Sequence, residues 1–325
     1  MKVLVWVHGF QARYAGPYFA KEAKRQGFEV RVIGSITNPS EMLATFREYK
    51  PDFVFCFVIN LAFKKYYDVI KRTGTKLIFW YPDMTDSIRN RTWQSLEDIA
   101  DVLIFSQLET AQRYKNLAPI VLWMPQYFDH VFCSENGQLP MRLNTNEYIY
   151  DLCFIGSCDM LRSEWLDELE KKYKCFFARD GIKYHREIRG QKMTKIYAQS
   201  KIAINIQRKL YTNTGPYVVS NRIYNAIGSG AFFLNHPVQH LDLVFKEGVD
   251  CVSYNDTLDD LLLKIDYYLK HGMLRERIAL QGQQNVLQHH TLNTRIKEYW
   301  QVMQAIHENR MNELSIGEHN KWVRT

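Results

Sequence analysis

The chain has 325 residues, 46% hydrophobic and 24% charged, the make-up of an ordinary soluble, folded protein with room for two sizeable cores. The formal net charge of +7 and a pI of about 8.9 fit a mildly basic enzyme or one whose partner carries phosphates: a nucleotide, an acidic glycan, a membrane surface or nucleic acid. The six cysteines (Cys56, Cys133, Cys153, Cys158, Cys175, Cys251) form no C-x-x-C and no paired Cys/His spacing, which argues against a structural zinc site and a secreted disulfide framework.

Short β-branched runs alternate with helical patterns over the first 125 residues, the signature of a parallel sheet built from crossover units. Strands are expected at Lys2–Val7, Glu29–Ile33, Asp52–Val58, Lys76–Tyr81, Asp101–Phe105 and Ile120–Trp123. Pro17 opens the first helix and Gly27 stops it, Ser40 caps the second after Pro39, and Gly74 closes the third. From Met124 to about Tyr148 the periodicity fails, and Pro125, Asn136-Gly137 and Pro140 suit a connector. Strands are then expected at Asp151–Ile155, Lys174–Phe177, Ile202–Ile206, Ala231–Leu234 and Cys251–Tyr254, with helices near Arg162–Lys172, Gln191–Ser200, Asn221–Ile227 and Thr257–Lys270. Met273 to about Leu314 reads as helix in two or three pieces, broken near His289–Asn293.

The expected fold class is therefore α/β: two Rossmann-like lobes joined by a linker, with a C-terminal helical tail. The expected division is a lobe at 1–125, a linker at 126–148, a second lobe at 149–295 and the tail at 296–325. The start, Met1 to Val7, is too short for a leader and reads as a strand, and no apolar stretch reaches the roughly 18 residues of a membrane span. A cytoplasmic location is the expectation. Cys56, Cys153, Cys175 and Cys251 lie in or beside apolar runs and are expected to be buried thiols.

Open parallel sheets bind ligands at the carboxyl ends of their strands. In the first lobe those ends carry His8-Gly9-Phe10 and Pro82-Asp83-Met84-Thr85-Asp86. In the second they carry Gly156-Ser157-Cys158-Asp159 and Gln207-Arg208-Lys209. Gly156 and Ser157 either bring backbone N–H groups up to a phosphate at a helix start or form a plain tight turn. Arg162, in the next helix, either joins them or is solvated. Arg208 and Lys209 either hold diphosphate oxygens or form a basic loop. Ser220 to Leu234 opens a short helix, closes it with glycine and enters a strand. This places Arg222 and Asn225 on one face near the helix start, a geometry suited to a diphosphate and a ribose hydroxyl together.

The run Arg222-Ile-Tyr-Asn225-Ala-Ile-Gly228-Ser-Gly230, with Leu241–Phe245, Glu247-Gly248-Val249-Asp250, Tyr254-Asn255-Asp256 and Leu261–Leu269, resembles the C-terminal signature of GT-B glycosyltransferases of the CgeB-like (spore maturation) group. The resemblance reaches from Asp151 to Arg295 and covers the first lobe only in plan. It implies two lobes facing a central cleft (GT-B), the C-terminal tail crossing back to the first lobe, and a metal-independent transferase taking its sugar from a nucleotide-diphosphate sugar, a UDP-sugar foremost. The expected donor-binding residues are Gly156, Ser157, Arg162, Arg222 and Asn225, together with Arg208 and Lys209 from the strand-end reading. Where relatives commonly carry a ribose-holding Glu this chain has Asn225, whose amide lacks a carboxylate's charge-assisted strength.

Asp83 is the first candidate for catalytic base or acceptor positioner, against a turn-forming role after Pro82. Asp86 reads as a helix N-cap. His8 is the second catalytic candidate, against a structural loop role, while His289 and His290 read as structural. Arg208, Lys209 and Arg222 would stabilise the leaving diphosphate. The acceptor hydroxyl belongs to a glycan, protein, small molecule or modified nucleic-acid base. The competing readings are a catalytically weak nucleotide-sugar-binding protein, which Asn225 motivates, and a sugar-nucleotide epimerase on the same fold.

Overall fold

The computed structural model describes residues 1–7, 15–34, 39–57, 63–82, 97–134, 138–139, 147–158, 160–180, 188–207 and 219–311. Two compact units emerge. One joins Met1–Pro125 to Leu292–Thr325, and the other is Gln126–Thr291.

In the first unit, β1 (Lys2–Val7), β2 (Glu29–Gly34), β3 (Phe53–Phe57), β4 (Lys76–Tyr81), β5 (Val102–Phe105) and β6 (Ile120–Trp123) form a parallel sheet in the order β2-β1-β3-β4-β5-β6. Val5 pairs with Val32 on one side and Phe55 on the other. The central strands are apolar at nearly every position because helices cover both faces, which removes the in–out alternation of a half-exposed sheet. Among the described residues the helices are α1 (Ala15–Arg25), α2 (Pro39–Tyr49), α3 (Lys64–Lys71) and α4 (Leu108–Arg113). Ser40 does not cap α2. The helix begins at Pro39, whose fixed φ and missing N–H suit a first helical position.

The chain returns to this unit at its end. Trp300 stacks on Phe28 with ring centroids 4.3 Å apart, and Tyr299 lies 5.1 Å from Phe55. Both belong to the last helix, numbered α11 below (Leu292–His307).

In the second unit, β7 (Tyr150–Ser157), β8 (Cys175–Asp180), β9 (Ser200–Ile204), β10 (Phe232–Asn235) and β11 (Val252–Ser253) form a parallel sheet in the order β11-β10-β9-β7-β8. The helices here are α5 (His130–Cys133), α6 (Met160–Glu170), α7 (Gln191–Ala198), α8 (Asn221–Gly228), α9 (Leu258–Lys270) and α10 (Gly272–His289). Leu152, Phe154, Ile202, Ile204, Phe232, Leu234 and Val252 meet Leu166 of α6 and Leu261 and Ile265 of α9 in one buried cluster. Thr257 caps α9, accepting the Asp260 N–H at 3.2 Å.

β9 lies two residues earlier than its apolar run predicts, and its exit at Asn205–Gln207 is held in another way, described below. Cys175 is half-buried rather than buried, because it sits on β8 at the sheet edge, while Cys133 is buried. Among the described residues no helix is long and apolar enough to cross a membrane.

Candidate functional site

The carboxyl ends of β7, β9, β10 and β11 carry a connected polar network within the second unit. Arg222, in the first turn of α8, reaches back to the sheet. Its Nε donates to the Ile155 carbonyl at 2.9 Å, its Nη1 donates to Asn205 Oδ1, and the guanidinium lies 4.7 Å from the Phe154 ring centre. Asn205 Nδ2 in turn donates to Asn235 Oδ1 at 2.8 Å. Gly156 explains why this approach is possible: a Cβ there would stand 2.2 Å from Arg222 Nη2. A larger residue there would push the guanidinium out of this position, a packing effect separate from any exposed N–H. Asn235 is 1% exposed, and its Nδ2 has no hydrogen-bond partner among the described residues. The same holds for the buried Ser220 Oγ at the N-cap of α8. A buried donor without a partner is costly, so a polar ligand at this end of the sheet meets groups already poised for it.

Arg162 is not the solvated helix arginine that its position in α6 allows. It is 4% exposed, with Nε donating to the Ile206 carbonyl and Nη1 to the Ser157 carbonyl, each at 2.6 Å. It ties the exit of β7 to the exit of β9. Asn225 is half-buried, one turn into α8, and its side-chain amide makes no hydrogen bond to the described residues; its backbone carbonyl accepts from Ser229. Gly230, at φ +85°, makes the left-handed turn from α8 into β10 that a residue with a Cβ resists. The four remaining candidates, His8, Asp83, Arg208 and Lys209, lie outside the described residues, as does Asp86. His290 is buried beside Tyr224 and Phe245, and its carbonyl accepts the Phe128 N–H at 2.8 Å, a structural placement.

The residues that sequence reasoning did not name as site candidates are Asn205, Asn235, His236 and Trp165, together with Tyr254 and Asp256, which it used only as part of the Tyr254-Asn255-Asp256 resemblance. The fully buried His236 places Nε2 2.7 Å from Asp256 Oδ1 and Nδ1 2.9 Å from Tyr254 Oη. Trp165 stacks against its ring at 6.1 Å. Burial pushes the imidazole below the usual histidine range, with the Asp256 carboxylate pulling the other way. The signal was present: Asn205 interrupts an isoleucine run, and Asn235-His236 ends an apolar strand. Among the described residues no three His, Cys, Asp or Glu side chains gather as a metal-holding cluster.

Two parallel α/β units, with a polar network at the carboxyl ends of the second sheet and a final helix rejoining the first unit, define the GT-B architecture of glycosyltransferases. Residues 142–301, a little under half the chain, match the family described as glycosyl transferase-like, and this stretch carries the whole network. Solved structures with the same fold include Anabaena HepE in complex with UDP and glucose (9% identity, TM-score 0.61, 94% of this chain and 100% of that one). A glycosyltransferase from Rickettsia africae is similar at 11% identity and TM-score 0.62 over 95% and 99% of the two chains. A UDP-GlcNAc 2-epimerase from Neisseria meningitidis bound to UDP-GlcNAc is similar at 10% identity and TM-score 0.52 over 92% and 99%. No curated protein matches the sequence. The fold is thus that of GT-B proteins, and within it residues 142–301 are similar to the glycosyl transferase-like family.

Proposed function

We propose that this protein transfers a sugar from a UDP-sugar to an acceptor hydroxyl, with the nucleotide diphosphate held at the carboxyl ends of β7, β9 and β10. The observation that carries the reading is the network around Arg222. A cationic side chain, the start of α8 and two buried polar groups without described partners converge within the segment that matches the glycosyl transferase-like family. HepE, with a similar fold, binds UDP. In this reading Arg208 and Lys209 join Arg222 on the diphosphate, Gly156 and Ser157 line its approach behind Arg162, and Asn225 meets the ribose. The CgeB-like group is the finer family assignment.

In the transfer, the acceptor oxygen bonds to the anomeric carbon as the bond to the diphosphate oxygen breaks, and the acceptor proton goes to a base. Asp83 is the proposed base, with His8 second. The residue before Asp83 is well anchored, since Ser106 Oγ donates to the Pro82 carbonyl at 2.7 Å. UDP leaves with its charge balanced by the arginines and lysine, so no metal is required. Treatment with EDTA is expected to leave turnover unchanged, and loss of turnover that added Mg²⁺ or Mn²⁺ restores would refute the metal-independent step.

The direct test is a thermal-shift titration with UDP-glucose and UDP-GlcNAc, alongside GDP-, ADP- and dTDP-sugars. At 100 times its dissociation constant a ligand adds ~2.7 kcal/mol, which reads as an obvious rise in the melting temperature. A UDP-sugar is expected to give that rise and to be hydrolysed slowly to free UDP without an acceptor. No shift with any nucleotide sugar refutes the donor site, and a shift without UDP release supports the binding-protein reading. The epimerase neighbour favours one alternative, which an isomerised nucleotide sugar in the same reaction would establish. For the acceptor, affinity that falls steeply with salt would mark a nucleic acid, and a flat response excludes one.

A further inference from the structure

α10 carries two apolar stripes where a helix lying on the surface of one unit needs one. Its inner stripe, Ile278, Ala279, Gly282 and Val286, is buried. Its outer stripe is Met273, Leu280 and Leu287, which are 90%, 57% and 41% exposed. Leu280 stands two residues from both Ile278 and Gly282, about 200° around the helix from each, so it faces away from the core. The outer residues recur every seven positions. On an α-helix that spacing drifts by about 20° per step and sets them in one line, about 10 Å apart.

The surroundings of this stripe differ from those of a solvated helix face, which mixes charges of both signs. On α9 the exposed Leu263 and Tyr267 stand among exposed Asp259, Asp266 and Lys270. Among the exposed positions of α10 there is no carboxylate and no lysine. Arg277 is the one permanent charge there, and Gln281, Gln284, Gln288 and His289 supply the other polar groups. Methionine, leucine and arginine without lysine or carboxylate is the composition of a protein contact face. A lipid surface calls for a row of cations on the polar side, which a single arginine does not supply.

The spacing also selects the occupant. Leu280 lies midway between Met273 and Leu287 along α10. A second α10, antiparallel and related by a two-fold axis at Leu280, therefore sets Met273 against Leu287 of the second copy and Leu280 against its own counterpart. One patch serves both copies, as an isologous contact requires. Arg277, three residues from the axis, comes to rest about 9 Å along the helix from its counterpart and falls among glutamines, so no like charges oppose each other. A seven-residue repeat keeps two helices in contact over a shallow left-handed crossing. α10 has 18 residues, about 27 Å, and a helix pair of that length buries on the order of 1,000 Å² in all, the low end for specific interfaces.

We propose that the outer face of α10 is the contact face of a weak homodimer, in which two copies of this chain pack α10 antiparallel about Leu280. The inference does not depend on the donor reading, and either can fail without the other.

The test is sedimentation equilibrium of the full chain from about 1 to about 200 μM, where a dissociation constant on the order of 10 μM is expected for so small an interface. Leu280→Glu and Leu280→Lys each place like charges face to face on the axis, and each variant is expected to stay monomeric. Mixed in equal amounts they are expected to associate again, because the opposed charges then differ in sign. Leu280 is exposed, so both variants are expected to melt with the wild type. A wild type that stays monomeric, a dimer that persists in Leu280→Glu, or a mixture no more associated than its components overturns the proposal. The register is read from disulfide formation under diamide, above the background of the wild-type thiols. Leu280→Cys is expected to cross-link to itself, and Met273→Cys to Leu287→Cys in a mixture; Met273→Cys linking to itself instead would show a parallel pair and overturn the proposal. Equal sedimentation of wild type and Leu280→Glu with phosphatidylglycerol–phosphatidylcholine vesicles is expected. Vesicle binding that Leu280→Glu abolishes would give this face to lipid and overturn the homodimer.

Discussion

Arg222→Ala is expected to lower the stability of the second unit by about 3 kcal/mol and to abolish the UDP-sugar thermal shift. Two effects combine. The guanidinium donates to Ile155 O and to Asn205 Oδ1, and hydrogen bonds from charged donors are each worth about 1.5–3 kcal/mol when the acceptor is left without a substitute. The site is only partly buried, so water recovers part of this, and the lower end of the summed range applies. For a unit of this size the loss corresponds to a melting temperature roughly 6–12 °C lower. The second effect is functional: the cation at the start of α8 is gone, and Asn205 is free to turn. Arg222→Lys restores the charge without the two-pronged geometry and should recover less than half of the lost stability. Calorimetric melts with and without UDP-glucose separate the effects. An unchanged UDP-glucose shift in Arg222→Ala would remove the diphosphate from this end of the sheet.

Gly282→Ala, in an ordinary exposed helix, would stabilise by roughly 0.5–1 kcal/mol. Here it is expected to destabilise by about 3 kcal/mol. Gly282 lies in the middle of α10, buried, and a Cβ there would sit 2.2 Å from the Asp250 carbonyl oxygen and 2.9 Å from Ile227 Cγ2. The nearest obstacle is backbone, which cannot swing aside as a side chain does. The Asp250 segment is also pinned, since its carboxylate accepts from Lys246 N at 2.7 Å and from Asn285 Nδ2 at 2.9 Å, one turn beyond Gly282 on the same helix. Overpacking of this kind costs about 1–3 kcal/mol, and the pinned carbonyl puts the site at the upper end. Denaturant melts of wild type and variant check it, and an unchanged midpoint would show that α10 can lift away at little cost.

The local pattern of the chain was enough for the alternation of strands and helices. β1, β4 and β6 begin and end where their apolar runs do, because a strand covered on both faces reads as an unbroken hydrophobic segment. The carboxyl-end rule also brought Gly156 and Ser157 into view, since residues directly after a buried strand stand out, and the helix–glycine–strand pattern of Ser220 to Leu234 drew attention to Arg222. Boundaries were less legible. β9 and α7 each end two residues earlier than expected; for β9 the reason is that hydrophobicity continues through Ile206 after the ladder to β10 has stopped.

What the sequence by itself determined is the fold class and where its candidate site residues fall along the chain; only the tertiary structure decided what each polar side chain described there touches. Arg162 meets Ile206 across 44 residues, Arg222 meets Ile155 across 67, and Gln207 meets His236 across 29. Periodicity is a local property, whereas a buried arginine or histidine is tolerable only when distant carbonyls and carboxylates satisfy it. Those partners appear only when the sheet order β11-β10-β9-β7-β8 sets strand ends from separate parts of the chain side by side. The same holds for the last helix, whose amphipathic sequence calls for an apolar neighbour, while the contact of Trp300 with Phe28 specifies which one.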